Sequence, residues 1–170
     1  LAFTSGAEIG VWEGIHAAAL CRANPGLHLL CVDAWTPYGG DETQASAADP
    51  VFAKRVRRAE EVAQRLLAPL NCTIRRQFSV EAAATVPDAS LDFIYIDGAH
   101  NFANVMADLL AWVPKVQSGG IISGHDYKHY QRNRQIRVVE AVDAFTRAYD
   151  IAPWFVLAGD ADPSFLWVQP

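Results

Sequence analysis

The chain has 170 residues, enough for one domain with a sizeable core and too few for two comfortable ones. Hydrophobic residues make up 51% and charged residues 19%, which excludes a disordered chain, and a net charge of −5 argues against a nucleic-acid backbone as the main partner. No stretch is long and apolar enough to span a membrane, no signal peptide is read, and three cysteines without C-x-x-C spacing (Cys21, Cys31, Cys72) predict a cytoplasmic protein with reduced thiols and no zinc site.

The first unit is Ala7-Glu8-Ile9-Gly10-Val11-Trp12-Glu13-Gly14. It reads as the end of a buried strand, a glycine turn and the start of a helix that continues through the alanine-rich Ile15 to Arg22. Such a unit lines a nucleotide-type crevice. A dinucleotide fingerprint needs glycines where Trp12 and Ile15 stand, and Glu8 and Glu13 put negative charge where a phosphate needs the opposite. The crevice therefore suits an adenosine-like body with positive charge and no phosphate, a description that S-adenosylmethionine meets. The plain alternative is an ordinary strand-to-helix turn. The chain opens at Leu1, almost inside this strand, which predicts cap residues upstream of it.

Asn24-Pro25-Gly26 breaks the helix, and Leu27 to Val32 is a second strand ending in Asp33. An acid there is placed to accept hydrogen bonds from ribose hydroxyls, or it is a loop or cap acid. Trp35 stacks on a purine face or plugs the core edge. Thr36 to Pro50 has no periodicity and reads as a lid over the crevice. Val51 to Leu67 is an amphipathic helix with Val51, Phe52, Val56, Val62, Leu66 and Leu67 inward, stopped by Pro69. Cys72 to Gln77 is a partly exposed third strand, Phe78 and Ser79 form a turn fit for an adenine edge, and Glu81 to Ala84 is a short helix.

Leu91 to Ile96 is the strongest strand, followed by Asp97-Gly98. Phe102 to Val113 is helical, and Gly119-Gly120 turns into a fifth strand, Ile121 to Gly124, ending in His125-Asp126-Tyr127. Ile136 to Tyr149 is a further amphipathic helix, and Trp154 to Leu157 with Phe165 to Val168 closes the chain as an antiparallel pair. Alternating strands and helices predict an α/β, Rossmann-like, doubly wound and mostly parallel seven-stranded sheet, with a C-terminal antiparallel hairpin and helices on both faces.

Ligands of such sheets bind beyond the carboxyl ends of the strands, where Glu8, Gly10, Asp33, Ser79, Asp97, His125 and Asp126 stand. If the strands ending in Asp97 and Asp126 neighbour the first strand, the two carboxylates approach each other across the mouth of the sheet, and such a pair shares a proton or binds a cation. With an imidazole from His125 the donor set suits Mg²⁺ or a similar divalent ion, which would acidify a substrate hydroxyl. His100 and His125 are the candidate general bases. The plain alternatives are that Asp97-Gly98 is ordinary turn chemistry and that His100 caps the helix near Phe102.

Three stretches, Glu8 to Gly14, LDFIYIDGAH over Leu91–His100 and GGIISGHDY over Gly119–Tyr127, resemble motifs of the class I S-adenosylmethionine-dependent methyltransferases. Within that class the chain is similar to small-molecule O-methyltransferases of the macrocin and catechol type. The resemblance spans nearly the whole chain and implies one methyltransferase domain over residues 1–170. It implies that Glu8, Gly10 and Gly14 border the methionine part, Asp33 holds the ribose, Phe78 and Ser79 lie near the adenine, and Asp97 and Asp126 match metal-binding positions. Two departures stand out. His125-Asp126 replaces the Asp-Asp or Asp-Asn of metal-dependent members, and His100-Asn101 stands where the catechol type has a lysine. The reading is an O-methyltransferase acting on a hydroxylated small molecule, a sugar or natural product, with catalytic His100, His125 and Asp97. Cofactor contacts are expected at Glu8, Gly10, Gly14, Asp33, Trp35, Phe78, Ser79 and Asp97, and metal contacts at Asp97, His125 and Asp126. No nucleic-acid or membrane partner is expected, and a homo-oligomer is left open. The competing readings are an NAD-dependent oxidoreductase, a metal-dependent hydroxylase-like enzyme on the same scaffold, and a non-catalytic adenosine-binding module.

Overall fold

The computed structural model describes residues 3–36, 49–131, 133, 135–159 and 161–170. In chain order the elements are β1 (Ser5–Ile9), α1 (Ile15–Ala23), β2 (His28–Asp33), α2 (Pro50–Leu67), β3 (Cys72–Arg76), α3 (Ser79–Ala83), β4 (Leu91–Ile96), α4 (Phe102–Trp112), β5 (Val116–Gly124), α5 (Val138–Ala148), β6 (Trp154–Leu157) and β7 (Ser164–Val168). The seven strands form one sheet in the order β3-β2-β1-β4-β5-β7-β6. β1 to β5 pair in parallel, while β7 runs antiparallel to β5 and β6. This is the predicted Rossmann-like sheet with its antiparallel hairpin. The strand order reverses at β1, which lies between β2 and β4, so the crevice expected at a switch point opens above Ile9 and Gly10.

The sheet separates two apolar layers. On one face α1 and α2 cover Leu29 and Cys31 with Ala17, Ala18, Phe52, Val56, Ala59, Ala63 and Leu67. On the other, α3, α4 and α5 pack Ala82, Leu109, Trp112, Val142 and Phe145 over Ile9, Ile94, Ile122 and Trp167. Helix α2 shows how the sequence sets its limits. Asp49 accepts the Val51 N–H at 2.8 Å as N-cap, Pro50 occupies the first turn, and the buried stripe repeats at three- and four-residue steps. Val51, expected inward, is 66% exposed, because the stripe begins at Phe52; Val62 and Leu66 are half-buried on its flank.

Two expectations change. The fifth strand begins at Val116 rather than Ile121, and Gly119-Gly120 lies inside it. Between Leu91 and Phe93 the β4 pairing jumps from Val116 to Ile121, so the glycines form a bulge rather than a turn before the strand. Gly119 takes φ +81°, and a Cβ on Gly120 would stand 2.6 Å from the Asp92 carbonyl oxygen. The short helix also starts two residues early, so Ser79 is its first residue rather than part of a turn. The lid expected over Thr36–Pro50 falls mostly on residues 37–48, outside the described residues.

Candidate functional site

The turn after β1 is fixed by backbone rather than by side chains. Gly10 has φ +89°, and a Cβ there would lie 2.0 Å from the Asp97 carbonyl oxygen, because the chain leaving β4 passes directly over it. The Gly10 N–H donates to Val32 O at 2.9 Å, and the Asp97 N–H donates to Ile9 O at 2.7 Å. Asp33 binds the other side of the turn. Its Oδ2 accepts the N–H groups of Val11 and Trp12, each at 2.9 Å, and its Oδ1 accepts that of Trp35 at 2.8 Å. Burial raises the Asp33 carboxyl above the ordinary range, and the three amide donors only partly offset it. Trp35 donates its indole N–H to Trp12 O at 2.9 Å and is 2% exposed, so its ring is packed in the wall as a plug.

A cavity of about 710 Å³ opens above this turn. Of the expected cofactor contacts, Glu8, Gly10, Asp33, Trp35, Phe78, Ser79 and Asp97 line it, as does the candidate base His100. Gly14 does not. It is the left-handed N-cap of α1, and a Cβ there would meet Leu67 and Ala63 of α2. Phe78 is 51% exposed and presents an aromatic surface to the cavity.

At one end of the cavity the loops after β4 and β5 bring acids and imidazoles together. His100 Nε2 lies 2.9 Å from Asp126 Oδ2 and 3.4 Å from Asp97 Oδ1. Donor atoms of Asp97, His100 and Asp126 all fall within 4.8 Å of one another. His125 is looser, with Nδ1 3.9 Å from Asp97 Oδ1 and 3.7 Å from Asp126 Oδ1. Of the two imidazoles, the one that stands between the carboxylates is His100, with His125 farther out. Nor does His100 cap α4, since Asn101 Oδ1 accepts the Asn104 N–H at 3.0 Å. Burial opposes charge on His100, but the hydrogen bonds and charges of Asp126 and Asp97 push it up to about 10. Burial likewise opposes charge on Asp126, yet His100 and the Tyr130 hydroxyl draw it down to about 2. The group is a closed ion network with two hard oxygen donors and one nitrogen, a set that fits a divalent cation.

Two residues are not named from the sequence: His16, the partner of Glu8, and Asp108. Glu8, 2% exposed, accepts from His16 Nδ1 at 3.0 Å, and the His16 ring lies 4.2 Å from that of Tyr95. Burial pushes Glu8 up despite His16, and Glu8 raises His16 against the effect of burial. The other is Asp108 of α4, which is 5% exposed, lines the cavity, and is pushed up by burial to about 6. His16 is the second residue of α1, close in sequence to the end of β1, but nothing in the stretch around Asp108 marks it as buried.

A family model described as a methyltransferase domain matches residues 7–127. Among curated proteins the chain is similar to the uncharacterized protein y4gI of Sinorhizobium fredii, with 24% identity over 123 residues. That match covers 70% of this chain but only 12% of the relative's length. Among solved structures, it resembles the O-methyltransferase of Bacillus cereus in complex with SAH, with a TM-score of 0.62 and 16% identity, covering 99% of this chain and 75% of that one. It also resembles spermidine synthase from Thermotoga maritima, with a TM-score of 0.60 and 10% identity, covering 99% and 54%. At these identities the two structures speak for the fold alone.

Proposed function

The chain belongs to the class I S-adenosylmethionine-dependent methyltransferase family, and from that premise we propose that it methylates a hydroxyl of a small molecule, a sugar or natural product, with a divalent cation beside the acceptor. The observation that carries this reading is the meeting of Asp97, His100 and Asp126 at one end of a cavity whose other walls suit an adenosine. When bound, S-adenosylmethionine supplies a methyl on a sulfonium, already a good leaving group, and a divalent ion supplies charge that favours the acceptor's alkoxide.

The residues divide the remaining work. Glu8 and Asp33 give the cavity negative charge, which favours a cationic ligand and disfavours a pyrophosphate. The Val11 and Trp12 amides, which a dinucleotide would need, are already committed to Asp33. That counts against the NAD-dependent reading. Asp97 and Asp126 carry the hard oxygen donors, with His100 as the nitrogen donor in place of His125. Held near 10 by its two carboxylates, His100 keeps its proton at neutral pH, and a cation held there would take that proton's place on Nε2, so His100 would serve as a ligand rather than as the base. His125, on looser contacts beside Asp97, is the remaining candidate for accepting the hydroxyl proton.

The test is calorimetric titration with S-adenosylhomocysteine and with NAD, followed by mass spectrometry of hydroxylated acceptors incubated with S-adenosylmethionine, with and without chelator. Binding of the adenosyl compound and a 14 Da gain on an oxygen, lost on chelation, is the expected result. Binding of NAD alone overturns the reading, and chelator-insensitive turnover removes the cation from it.

A further inference from the structure

Asp126 reaches the cation cluster from a turn that the C-terminal hairpin holds in place. Two residues past β5, its backbone takes φ +58°, a left-handed conformation that a residue other than glycine keeps only where its neighbours fix it. The Asp126 carbonyl accepts the Lys128 N–H at 2.7 Å, and the Tyr127 N–H donates to Pro163 O at 2.8 Å, in the loop between β6 and β7. Two side chains of the turn reach the same loop. Lys128 Nζ donates to Ala161 O at 2.7 Å and pairs with Asp162 Oδ1 at 3.0 Å, and the Tyr130 hydroxyl lies 2.6 Å from Asp162 Oδ1.

The Tyr130 hydroxyl also bonds Asp126 Oδ1. A phenol has one proton, and here two carboxylate oxygens face it. Lys128 already compensates Asp162, which leaves the phenolic proton to serve Asp126. The Asp126 carboxylate is thereby divided. Its Oδ1 is held by Tyr130, and its Oδ2 faces His100 Nε2 at 2.9 Å, in the cluster with Asp97. Without the phenol the carboxylate can swing about its broad χ2 torsion and lose that direction. We propose that Tyr130 is a positioning residue of the cation site: it holds Asp126 Oδ1 so that Oδ2 is aimed at the ion, and the β6–β7 loop holds Tyr130 through Asp162. The proposal rests on the cation in the function proposed above. Ligating carboxylates depend on such outer hydrogen bonds, and losing one weakens metal binding about 10- to 100-fold. Tyr130 is not among the residues that line the cavity, so the cofactor's affinity should not depend on it.

The experiment is titration of the whole chain with Mn²⁺, the free ion being read by electron paramagnetic resonance, for wild type, Tyr130→Phe and Tyr127→Phe. Tyr127 is the control, because its hydroxyl belongs to the same turn but donates to Asp143 Oδ1 of α5, at 2.6 Å. Tyr130→Phe should bind Mn²⁺ about tenfold or more weakly and S-adenosylhomocysteine as wild type does, while Tyr127→Phe should keep both affinities within about twofold. Tyr130→Met removes the same hydroxyl, should show the same loss, and serves if the phenylalanine variant does not fold. Wild-type Mn²⁺ affinity in a folded Tyr130 variant overturns the assignment and leaves the cation reading intact. An equal loss in Tyr127→Phe and Tyr130→Phe also overturns it, since the packing of the turn would then be at work rather than the bond to Asp126. A wild type that binds no Mn²⁺ removes the cation reading and this assignment together.

Discussion

His100 Nε2 stands 2.9 Å from Asp126 Oδ2, an ion pair that ties the loop after β4 to the loop after β5 at the edge of the cavity. The pair holds a proton where a cation would bind. If Asp97, His100 and Asp126 are ligands, Mg²⁺ or Mn²⁺ binding near neutral pH must release about one proton and must tighten as pH rises. Calorimetry in two buffers of different ionisation enthalpy counts that proton. Tight binding with no release would place the ion elsewhere.

The same pair predicts a pH signature in chelator-treated protein. His100 is raised to about 10 against an ordinary 6.5, so its contribution to stability is complete below about 6.5 and is lost as pH rises through about 10. Asp126, lowered to about 2 from 3.8, contributes above 3.8 and loses that contribution as pH falls through about 2. His100→Ala should therefore destabilise the fold by about 1–3 kcal/mol at pH 7, leaving Asp97 and Asp126 to repel, and the deficit should shrink above pH 10. Urea unfolding across pH measures it; a deficit that does not change with pH would contradict the pairing.

Gly10 and Gly14 should separate under substitution. Both have positive φ, but a Cβ on Gly10 meets the Asp97 carbonyl at 2.0 Å, whereas one on Gly14 meets the Leu67 side chain at 3.2 Å. Gly10→Ala should cost roughly 3 kcal/mol or more and abolish S-adenosylhomocysteine binding by displacing the β4 loop. Gly14→Ala should cost about 1–2 kcal/mol and leave affinity near wild type. Thermal unfolding and titration of the two variants check this.

Asp33→Asn keeps one acceptor oxygen where three amides need two. Either Trp35 or the Val11–Trp12 turn loses its acceptor, which should cost about 1–3 kcal/mol and weaken cofactor binding. Hydrogen exchange at Val11, Trp12 and Trp35 reports which amide is released; unchanged protection at all three would show that Asp33 does not hold the turn.

Asp108 carries a stability cost of its own. Raised by burial to about 6 against the usual 3.8, it leaves the ligand-free fold less stable as pH rises from about 4 through 6. Asp108→Asn should make the ligand-free protein more stable at pH 7 by up to about 3 kcal/mol, with the gain vanishing near pH 4. Denaturant unfolding at the two pH values decides it, and no gain at pH 7 would mean that the carboxyl is already well satisfied.

Much of the architecture was legible because it is written in local spacing. The apolar run of β4 and the short strand β6 have the bounds that the sequence predicts, and α1, α2, α4 and α5 agree within two residues. Gly119-Gly120 misled because glycine pairs signal turns. Only hydrogen bonds to Gln169, just past β7, hold them in the strand: the Gly119 N–H donates to Gln169 O and the Gln169 N–H to Gly120 O. Asp97 and Asp126 were legible as acids ending apolar runs, and Asp33 was too, though its carboxylate holds the glycine turn's amides.

The sequence alone thus determined the α/β class, the acids at the strand ends and the unsuitability of the first turn for a pyrophosphate, since each depends on residues a few positions apart. Which imidazole joins the two carboxylates, what Gly14 packs against, and that Asp108 lies buried beside Ser79 were decided only by the tertiary structure. Those relations join loops and helices far apart in the chain. The order β3-β2-β1-β4-β5-β7-β6 and the packing of α3 on α4 bring them together, and no local pattern encodes such distances.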